Sequence, residues 1–185
     1  PEKMNMYGGY KSHLEVRIGI DPAISQSSVA DYTAMVPGLL FETKTGYKIY
    51  ILPKIINRRL NFPETIDTCK VIYDSYKKEY DLVRLVVEDV AYQKALPQQL
   101  KVEGGRNVIT TRPGSQDKRS RLVLTANLIK TGQVLFPREG AEELIQQIVH
   151  FGVEKHDDLA DAFVNVVNSL LENHPNPPRI YSLNW

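Results

Sequence analysis

Cysteine is almost absent from this chain, which has one, Cys69, among 185 residues. A single cysteine excludes an internal disulfide framework and a cysteine-based zinc site, and it fits a reducing compartment. No apolar run approaches the roughly 20 residues that cross a bilayer, and Pro1–Tyr10 lacks the apolar core of a signal peptide. We therefore expect a soluble, intracellular protein with no membrane contact and no thiol redox chemistry.

Strong net charge is also absent, since the formal value is +1 at pH 7. The basic residues are nevertheless unevenly placed, with a concentration at Arg106, Arg112, Lys118, Arg119, Arg121, Lys130 and Arg138. This concentration predicts a local basic face. A hydrophobic fraction of 42% and a charged fraction of 24% are typical of a folded domain, and 185 residues fit one core.

The chain has no internal repeat, and its ends differ from its middle. We expect an N-terminal extension over residues 1–12, one folded domain over residues 13–172 and a C-terminal tail over residues 173–185, where three prolines stand. Because a mature chain does not normally begin with proline, we expect the sequence to be part of a longer protein.

Three short strands are predicted near the start of the chain. Alternating apolar residues predict the first over His13–Asp21, which ends at a turn-forming Asp-Pro pair. Apolar stretches over Tyr32–Leu40 and Tyr47–Leu52 predict the next two, and their short connections favour an antiparallel meander. Leu82–Val90 is so continuously apolar before Glu88 that it predicts a central strand covered on both faces.

Helical spacing predicts helices over Pro63–Tyr80, Tyr92–Val102, Arg121–Lys130, Glu142–His150 and Asp157–Leu171. The fourth is expected to bury Leu144, Ile145, Ile148 and Val149. Short strands are predicted over Val108–Thr111 and Gln133–Phe136, and the aperiodic Thr110–Ser120 is expected to be a mobile loop. This order predicts an α/β fold in which helices cover both faces of a mixed sheet.

Carboxylates stand at places where a packed fold would not need them, namely Asp21, Asp31, Glu88–Asp89 and the cluster Asp157, Asp158 and Asp161. Asp21 and Glu88 follow apolar strands that we expect to be neighbours, so their side chains can converge at one edge of the sheet. Asp158 and Asp161 are three residues apart and share a helix face. Buried like charges repel unless a cation lies between them, and Mg²⁺ and Mn²⁺ prefer carboxylate oxygens. The pattern therefore predicts a divalent-metal site.

Each acid taken singly also has a purely structural interpretation. Asp21 can serve a turn, and Glu88 can pair with a nearby lysine. Asp157 can be an N-cap, and Asp158 can favour the helix dipole. Asp161 resists such an interpretation, because an acid in the second turn of an apolar helix has no capping role. The metal-site hypothesis thus depends on the set of acids rather than on any one of them.

The acids lie in motifs that resemble those of RNase H-like nucleases, including Holliday-junction resolvases of the RuvC type. The matching segments are Ile18-Gly-Ile-Asp-Pro-Ala23 in the first strand, Val86-Val-Glu-Asp-Val90 in the buried strand and His156-Asp-Asp-Leu-Ala-Asp-Ala-Phe163 in the last helix. Asp31-Tyr-Thr-Ala34 and Lys118–Pro137 are similar to segments of the phage terminase large subunit. The resemblance covers most of Val16–Leu171, and the ordered set is more specific than any single motif.

The resemblance implies an RNase H-like nuclease domain that cuts concatemeric double-stranded viral DNA in the cytoplasm of an infected host cell. It also implies two Mg²⁺ or Mn²⁺ ions about 4 Å apart at the scissile phosphate. The implied ligands are Asp21, Glu88 and Asp158 as the catalytic triad, with Asp31 and Asp161 as auxiliary acids. The choice between Glu88 and Asp89, and that among Asp157, Asp158 and Asp161, stay open, because only one of two successive strand residues can point into a site.

The implied contacts to DNA phosphates are made by Arg112, Lys118, Arg119 and Arg121. Terminase large subunits carry an ATPase motor before the nuclease, and this chain has no Gly-x-x-x-x-Gly-Lys-Ser/Thr loop. The resemblance is therefore to the carboxyl-terminal half alone. The implied partners are the motor domain of the same full-length chain, the portal protein and the small terminase subunit.

Three alternatives remain open from the sequence. A Holliday-junction resolvase would share the metal site but require a dimer and four-way DNA. A sugar-kinase or actin-like ATPase also has a first strand ending in aspartate, but it needs two related domains and glycine-rich phosphate loops, for which Gly104–Gly105 is a poor candidate. A catalytically inactive RNase H-like module would only dock onto DNA or a portal protein.

Overall fold

The computed structural model describes residues 12–22, 32–43, 46–88, 95–103, 106–111, 118–151 and 157–172. Asp31, Asp89 and Arg112 fall outside these ranges, as do the predicted tail and nearly all of the predicted N-terminal extension. The expected domain boundaries therefore stay predictions.

Within those ranges the chain forms seven strands and five helices. The strands are β1 (Ser12–Asp21), β2 (Tyr32–Thr43), β3 (Gly46–Ile51), β4 (Ile56–Arg59), β5 (Val83–Glu88), β6 (Val108–Thr111) and β7 (Val134–Leu135). The helices are α1 (Phe62–Lys77), α2 (Ala95–Val102), α3 (Lys118–Lys130), α4 (Glu142–Val149) and α5 (Asp158–Glu172).

The strands form one mixed sheet in the order β6-β5-β1-β2-β3-β7. The β1–β2 and β2–β3 pairs are antiparallel, which confirms the predicted meander. The β1–β5, β5–β6 and β3–β7 pairs are parallel. The two strands that precede Asp21 and Glu88 are therefore direct neighbours, as the sequence predicts.

Strand β4 is absent from the sequence-based prediction. It pairs antiparallel with the beginning of β2, from Tyr32 opposite Arg59 to Met35 opposite Ile56. Three of its four residues, Ile-Asn-Arg-Arg, are polar, and four residues are too few to show an alternation. Pairing with β2, together with the Arg59 guanidinium over the Tyr32 ring at 5.1 Å, accounts for a strand that its own sequence does not favour.

Helices cover both faces of the sheet, which confirms the predicted α/β class. On one face, α1 and α2 pack against a core that includes Ile18 and Ile20 of β1. On the other face, α5 lies against β1, β2 and β5, and α3 and α4 flank α5. Because successive strand residues point to opposite faces, Arg17, Gly19 and Asp21 lie on the face that α5 covers.

Two helices begin with features that bear on the predictions. At the start of α1, Asn61 Oδ1 accepts from the backbone N–H of Glu64 at 2.9 Å, and Glu64 Oε2 accepts from the Asn61 N–H at 2.8 Å. This reciprocal capping box fixes the first turn. Helix α3 begins at Lys118, so residues 118–120 are helical rather than part of the predicted loop. Lysine and arginine favour helix, but a first turn with few apolar residues shows no periodicity.

The predicted buried face of α4 is partly wrong. Leu144 is fully buried as expected, but Ile145 and Val149 are 41% and 71% exposed. Gln147 is buried instead, at 5% exposure. The four apolar residues span too wide an arc for one neighbouring helix to cover, and α4 is turned so that the Gln147 amide faces the start of α5.

Gly19 allows α5 to lie directly on β1. A Cβ atom on Gly19 would overlap the carbonyl oxygen of Ala162 and would lie 2.9 Å from Cβ of Val166. On the neighbouring strand, a Cβ on Gly38 would lie 3.3 Å from side-chain atoms of both Leu170 and Val166. Ala162 and Val166 therefore belong to the row of α5 that faces the sheet.

A buried ionic network holds the far half of α5. Arg17, which is 1% exposed, donates from Nη1 to the carbonyl oxygen of Ser169 and forms an ion pair with the equally buried Glu15. Arg84 of β5 pairs with the same carboxylate. Burial lowers the pKa of Arg17, and the Glu15 charge opposes that effect. The network links α5, β1 and β5 at the end of the helix away from its acids.

Candidate functional site

Asp21 and Glu88 end two adjacent parallel strands. The pairing between β1 and β5 places Gly19 opposite Val86 and Ile20 opposite Val87, so Asp21 and Glu88 are the next residues on each strand. Both share the α5 face of the sheet, because they are two residues beyond Gly19 and Val86. Both side chains are partly exposed. The two carboxylates thus stand side by side at one edge of the sheet, which is called the acidic edge below.

The direction of α5 brings its first turn to the same edge. Arg17 contacts Ser169, and Gly19 contacts Ala162 and Val166, so the helix runs antiparallel to β1. Two strand residues advance about 6.6 Å, which corresponds to about four helical residues. Moving from Gly19 to Asp21 therefore leads to the first turn of α5, where the last two predicted acids stand.

Asp158 lies in the sheet-facing row of that turn. It precedes Ala162 by four residues, and Ala162 precedes Val166 by four, so the three are stacked on one face of the helix. Its Oδ2 atom is buried. Asp161, three residues on, is partly buried on the adjacent row. Asp157 precedes the helix, and its carbonyl oxygen accepts from the Asp161 N–H at 3.0 Å.

The structure therefore brings Asp21, Glu88, Asp158 and Asp161 to the acidic edge, as the sequence led us to expect. Among the residues described, no three histidine, cysteine or acidic side chains are close enough together to form a ready-made metal-binding group. Their carboxylate oxygens are the hard ligands that Mg²⁺ and Mn²⁺ take. The residues fit such an ion in donor chemistry and in placement, and side-chain rotation would have to complete the coordination. Their metal-binding roles stay predictions.

Helix α4 lies beside the acidic edge, where it bonds to both β4 and the start of α5, and this position was not predicted from the sequence. Across the sheet, Asp21 is opposite Ala34, and Ala34 is opposite Asn57. Asn57 Nδ2 donates to Oε1 of Glu143 on α4 at 2.5 Å. One turn further along α4, Gln147 Oε1 accepts from the Leu159 N–H of α5 at 2.9 Å. The sequence offers little signal for this role, because Gln147 is one of four polar residues among the eight of α4.

The predicted DNA-binding residues Lys118, Arg119 and Arg121 are in the first turns of α3. Strand β6 runs parallel to β5 and therefore ends at the acidic edge, with Thr111 opposite Glu88. Strand β7 runs parallel to β3, which has the direction of β1, so β7 begins at the opposite edge. Helix α3 thus follows β6, which ends at the acidic edge, and precedes β7, which begins at the opposite edge.

Comparison with known proteins identifies the family. Residues 18–170 match the sequence profile of a family described as the terminase RNase H-like domain. The chain belongs to this family. The match covers every motif on which the resemblance was based, and it confirms the terminase resemblance over the actin-like ATPase alternative. No functionally curated protein matches the chain.

Solved structures confirm the RNase H-like terminase fold. The human cytomegalovirus terminase nuclease domain is 14% identical, with a TM-score of 0.62 over 90% of this chain and 87% of that one. The large terminase nuclease of thermophilic phage G20c, with bound magnesium, is 16% identical, with a TM-score of 0.58 over 85% and 82%. The nuclease domain of the bacteriophage SPP1 large terminase, with bound manganese, is 13% identical, with a TM-score of 0.54 over 84% and 86%.

None of the helices that the structure describes in this terminase domain is both long enough and apolar enough to cross a membrane. Its longest helices, α1 and α5, pack against opposite faces of the sheet.

Proposed function

We propose that this terminase domain is a metal-dependent endonuclease that hydrolyses phosphodiester bonds of double-stranded DNA at the acidic edge. The observation that carries the proposal is the meeting of three elements there. Asp21 and Glu88 end neighbouring parallel strands on the α5 face, and Asp158 lies in the row of α5 that faces those strands. The family match and the metal-bound terminase nucleases of similar fold support it.

In this proposal, Asp21, Glu88 and Asp158 hold two Mg²⁺ or Mn²⁺ ions, with Asp31 and Asp161 as auxiliary ligands. Bound ions would supply positive charge to the scissile phosphate and acidify a water for in-line attack. The chain's own residues contribute by holding these acids in position. Gly19 lets α5 approach β1 without an intervening side chain, and the network of Arg17 and Glu15 fixes the other end of that helix.

Glu88 is the preferred choice over Asp89 on grounds of strand geometry. Glu88 shares its face with Val86, opposite Gly19, and so points to the side that α5 covers. For the last helix, Asp158 is preferred over Asp157 and Asp161, because it continues the row of Ala162 and Val166.

DNA is proposed to reach the acidic edge along the start of α3. Lys118, Arg119 and Arg121, together with Arg112, would neutralise backbone phosphates on either side of the cut. Such contacts carry no sequence information and weaken as salt concentration rises. The topology supports this path, because α3 follows β6 along the chain and β6 ends beside Glu88.

The biological setting is also part of the proposal. The folded domain would span residues 13–172 and would follow an ATPase motor in the same full-length chain. It would cut concatemeric viral DNA at the start and end of packaging, in the cytoplasm of the infected host cell. The portal protein and the small terminase subunit are its proposed partners.

The test is cleavage of supercoiled plasmid in EDTA, Mg²⁺ or Mn²⁺ by the wild type, Asp21→Ala, Asp158→Ala and a control, Asp67→Ala. Asp67 is 74% exposed on α1, on the opposite face of the sheet. We expect nicking and linearisation that need the metal, persist in Asp67→Ala and disappear in the other two variants while they stay folded. Cleavage at the wild-type rate by either folded variant would remove that acid from the site. No cleavage with any metal would favour a domain that only docks onto DNA or a partner, and preferential cutting of four-way junctions would favour a resolvase.

A further inference from the structure

The first turn of α5 is capped by a side chain from another helix. Gln147 Oε1 accepts from the N–H groups of Leu159 at 2.9 Å and of Ala160 at 3.4 Å. Gln147 is 5% exposed, so the interaction is shielded from water. The second and third amides of a helix are those that an N-cap side chain normally accepts. In α5 these two amides already have an acceptor supplied by α4.

The identity of the capping group matters because of the charge around it. Asp157 precedes the helix at the N-cap position, and Asp158 and Asp161 follow it within the first turns, so the start of α5 is rich in negative charge. A neutral amide oxygen satisfies the same donors without adding another negative charge. Gln147 therefore orders the start of the helix without adding a carboxylate to the acidic edge.

We propose that Gln147 is a positioning residue that sets the distance between the acid of α5 and the acids of the strands. The proposal rests on the proposed function, because it assigns Gln147 a role in the same metal site. Leu144, fully buried, anchors α4 against the core. Glu143 and Gln147 are four residues apart on one face of α4. Glu143 accepts a hydrogen bond from Asn57, which lies two strands across the sheet from Asp21. Gln147 accepts from the backbone of the turn that carries Asp158.

The chain offers two matched controls for this role. Gln146→Ala removes the same chemical groups from the exposed neighbouring position on α4. Asn61→Ala removes an N-cap of the same kind from α1, on the opposite face of the sheet. A variant that only lowers stability should behave like Asn61→Ala. A variant that displaces a metal ligand should also change metal binding.

The experiment is Mn²⁺ titration calorimetry on the 185-residue chain, at a temperature where every variant is folded, with plasmid cleavage measured in parallel. We expect Gln147→Ala to weaken Mn²⁺ binding about 10- to 100-fold, the usual effect of removing a group that orients a metal ligand. Gln146→Ala and Asn61→Ala should bind Mn²⁺ as the wild type does.

Two outcomes would overturn this inference. If the wild type binds Mn²⁺ and Gln147→Ala binds it equally tightly, Gln147 does not position the site. If amide hydrogen exchange at Leu159 and Ala160 is the same in Gln147→Ala as in Gln146→Ala, the cap itself is not formed. Failure of the wild type to bind Mn²⁺ would instead overturn the proposed function, and the exchange rates would still decide whether Gln147 caps α5.

Discussion

Replacing Gly19 with alanine should destabilise the domain, although the local rule predicts the reverse. Glycine inside a strand is less favourable than alanine by roughly 0.5–1 kcal/mol in the absence of other contacts. Here the new Cβ would overlap the carbonyl oxygen of Ala162 and lie 2.9 Å from Cβ and 3.0 Å from N of Val166. Carbon atoms pack at about 3.5–4.0 Å, and backbone atoms of a packed helix cannot rotate away as a side chain can.

Relief therefore requires α5 to move away from β1. Overpacking of this kind costs about 1–3 kcal/mol, and a domain of this size loses roughly 2–4 °C in Tm for each kcal/mol. The matched control is Gly38→Ala, whose Cβ would meet only methyl groups of Leu170 and Val166 at 3.3 Å. We expect Gly19→Ala to unfold at clearly lower temperature than the wild type, and Gly38→Ala to stay close to it.

The same shift should reduce cleavage, because it separates Asp158 from the strand ends. Thermal unfolding and plasmid cleavage of the two glycine variants, measured below the transition of each, would test both effects. An unfolding temperature for Gly19→Ala equal to or above that of the wild type would refute the close contact between β1 and α5. A larger loss of thermal stability in Gly38→Ala than in Gly19→Ala would refute the conclusion that the contact at Gly19 is the tighter of the two.

Three further predictions concern other parts of the domain. Glu15→Ala should lower the free energy of unfolding, measured with denaturant, by about 3–5 kcal/mol, because it leaves the buried Arg17 without its ion pair. A loss below about 1 kcal/mol would show that the network does not stabilise the fold. Single alanine variants of Lys118, Arg119 and Arg121 should each remove one phosphate contact and so lower the slope of the log DNA-binding constant against log salt concentration by about 1. An unchanged slope in all three variants would exclude the α3 path. Burial raises the pKa of Cys69 to about 12, so the folded protein should resist thiol labelling at pH 8.5 and react only after unfolding; rapid labelling of the native protein would contradict the burial of that side chain.

The parts of the fold that the sequence revealed are those with a strong periodic signal. The alternation in β1 and the apolar run of β5 were enough to predict neighbouring strands with acids at their ends. The long apolar helix α5 was predicted for the same reason. Strand β4 escaped prediction because its polar residues are ordered by pairing with β2 rather than by burial. The first turn of α3 escaped prediction because its basic sequence has no apolar repeat.

The candidate site shows the same division between local and long-range information. The sequence could not decide between Glu88 and Asp89, because both of them follow the apolar run Leu85–Val87, which gives no sign of which face each acid takes. The pairing of Val86 with Gly19, and the contact of Gly19 with α5, supply that sign for Glu88. Gln147 was missed because its role depends on two amides twelve and thirteen residues away, on another helix.

The most direct test of the metal site is a crystal of this chain grown or soaked in Mn²⁺ and measured at the manganese absorption edge. We expect anomalous density at the acidic edge, within about 2.0–2.4 Å of carboxylate oxygens of Asp21, Glu88 and Asp158. The same density should be lost in Asp21→Ala. Anomalous density elsewhere on the surface, with none between the ends of β1 and β5 and the start of α5, would contradict the proposed site.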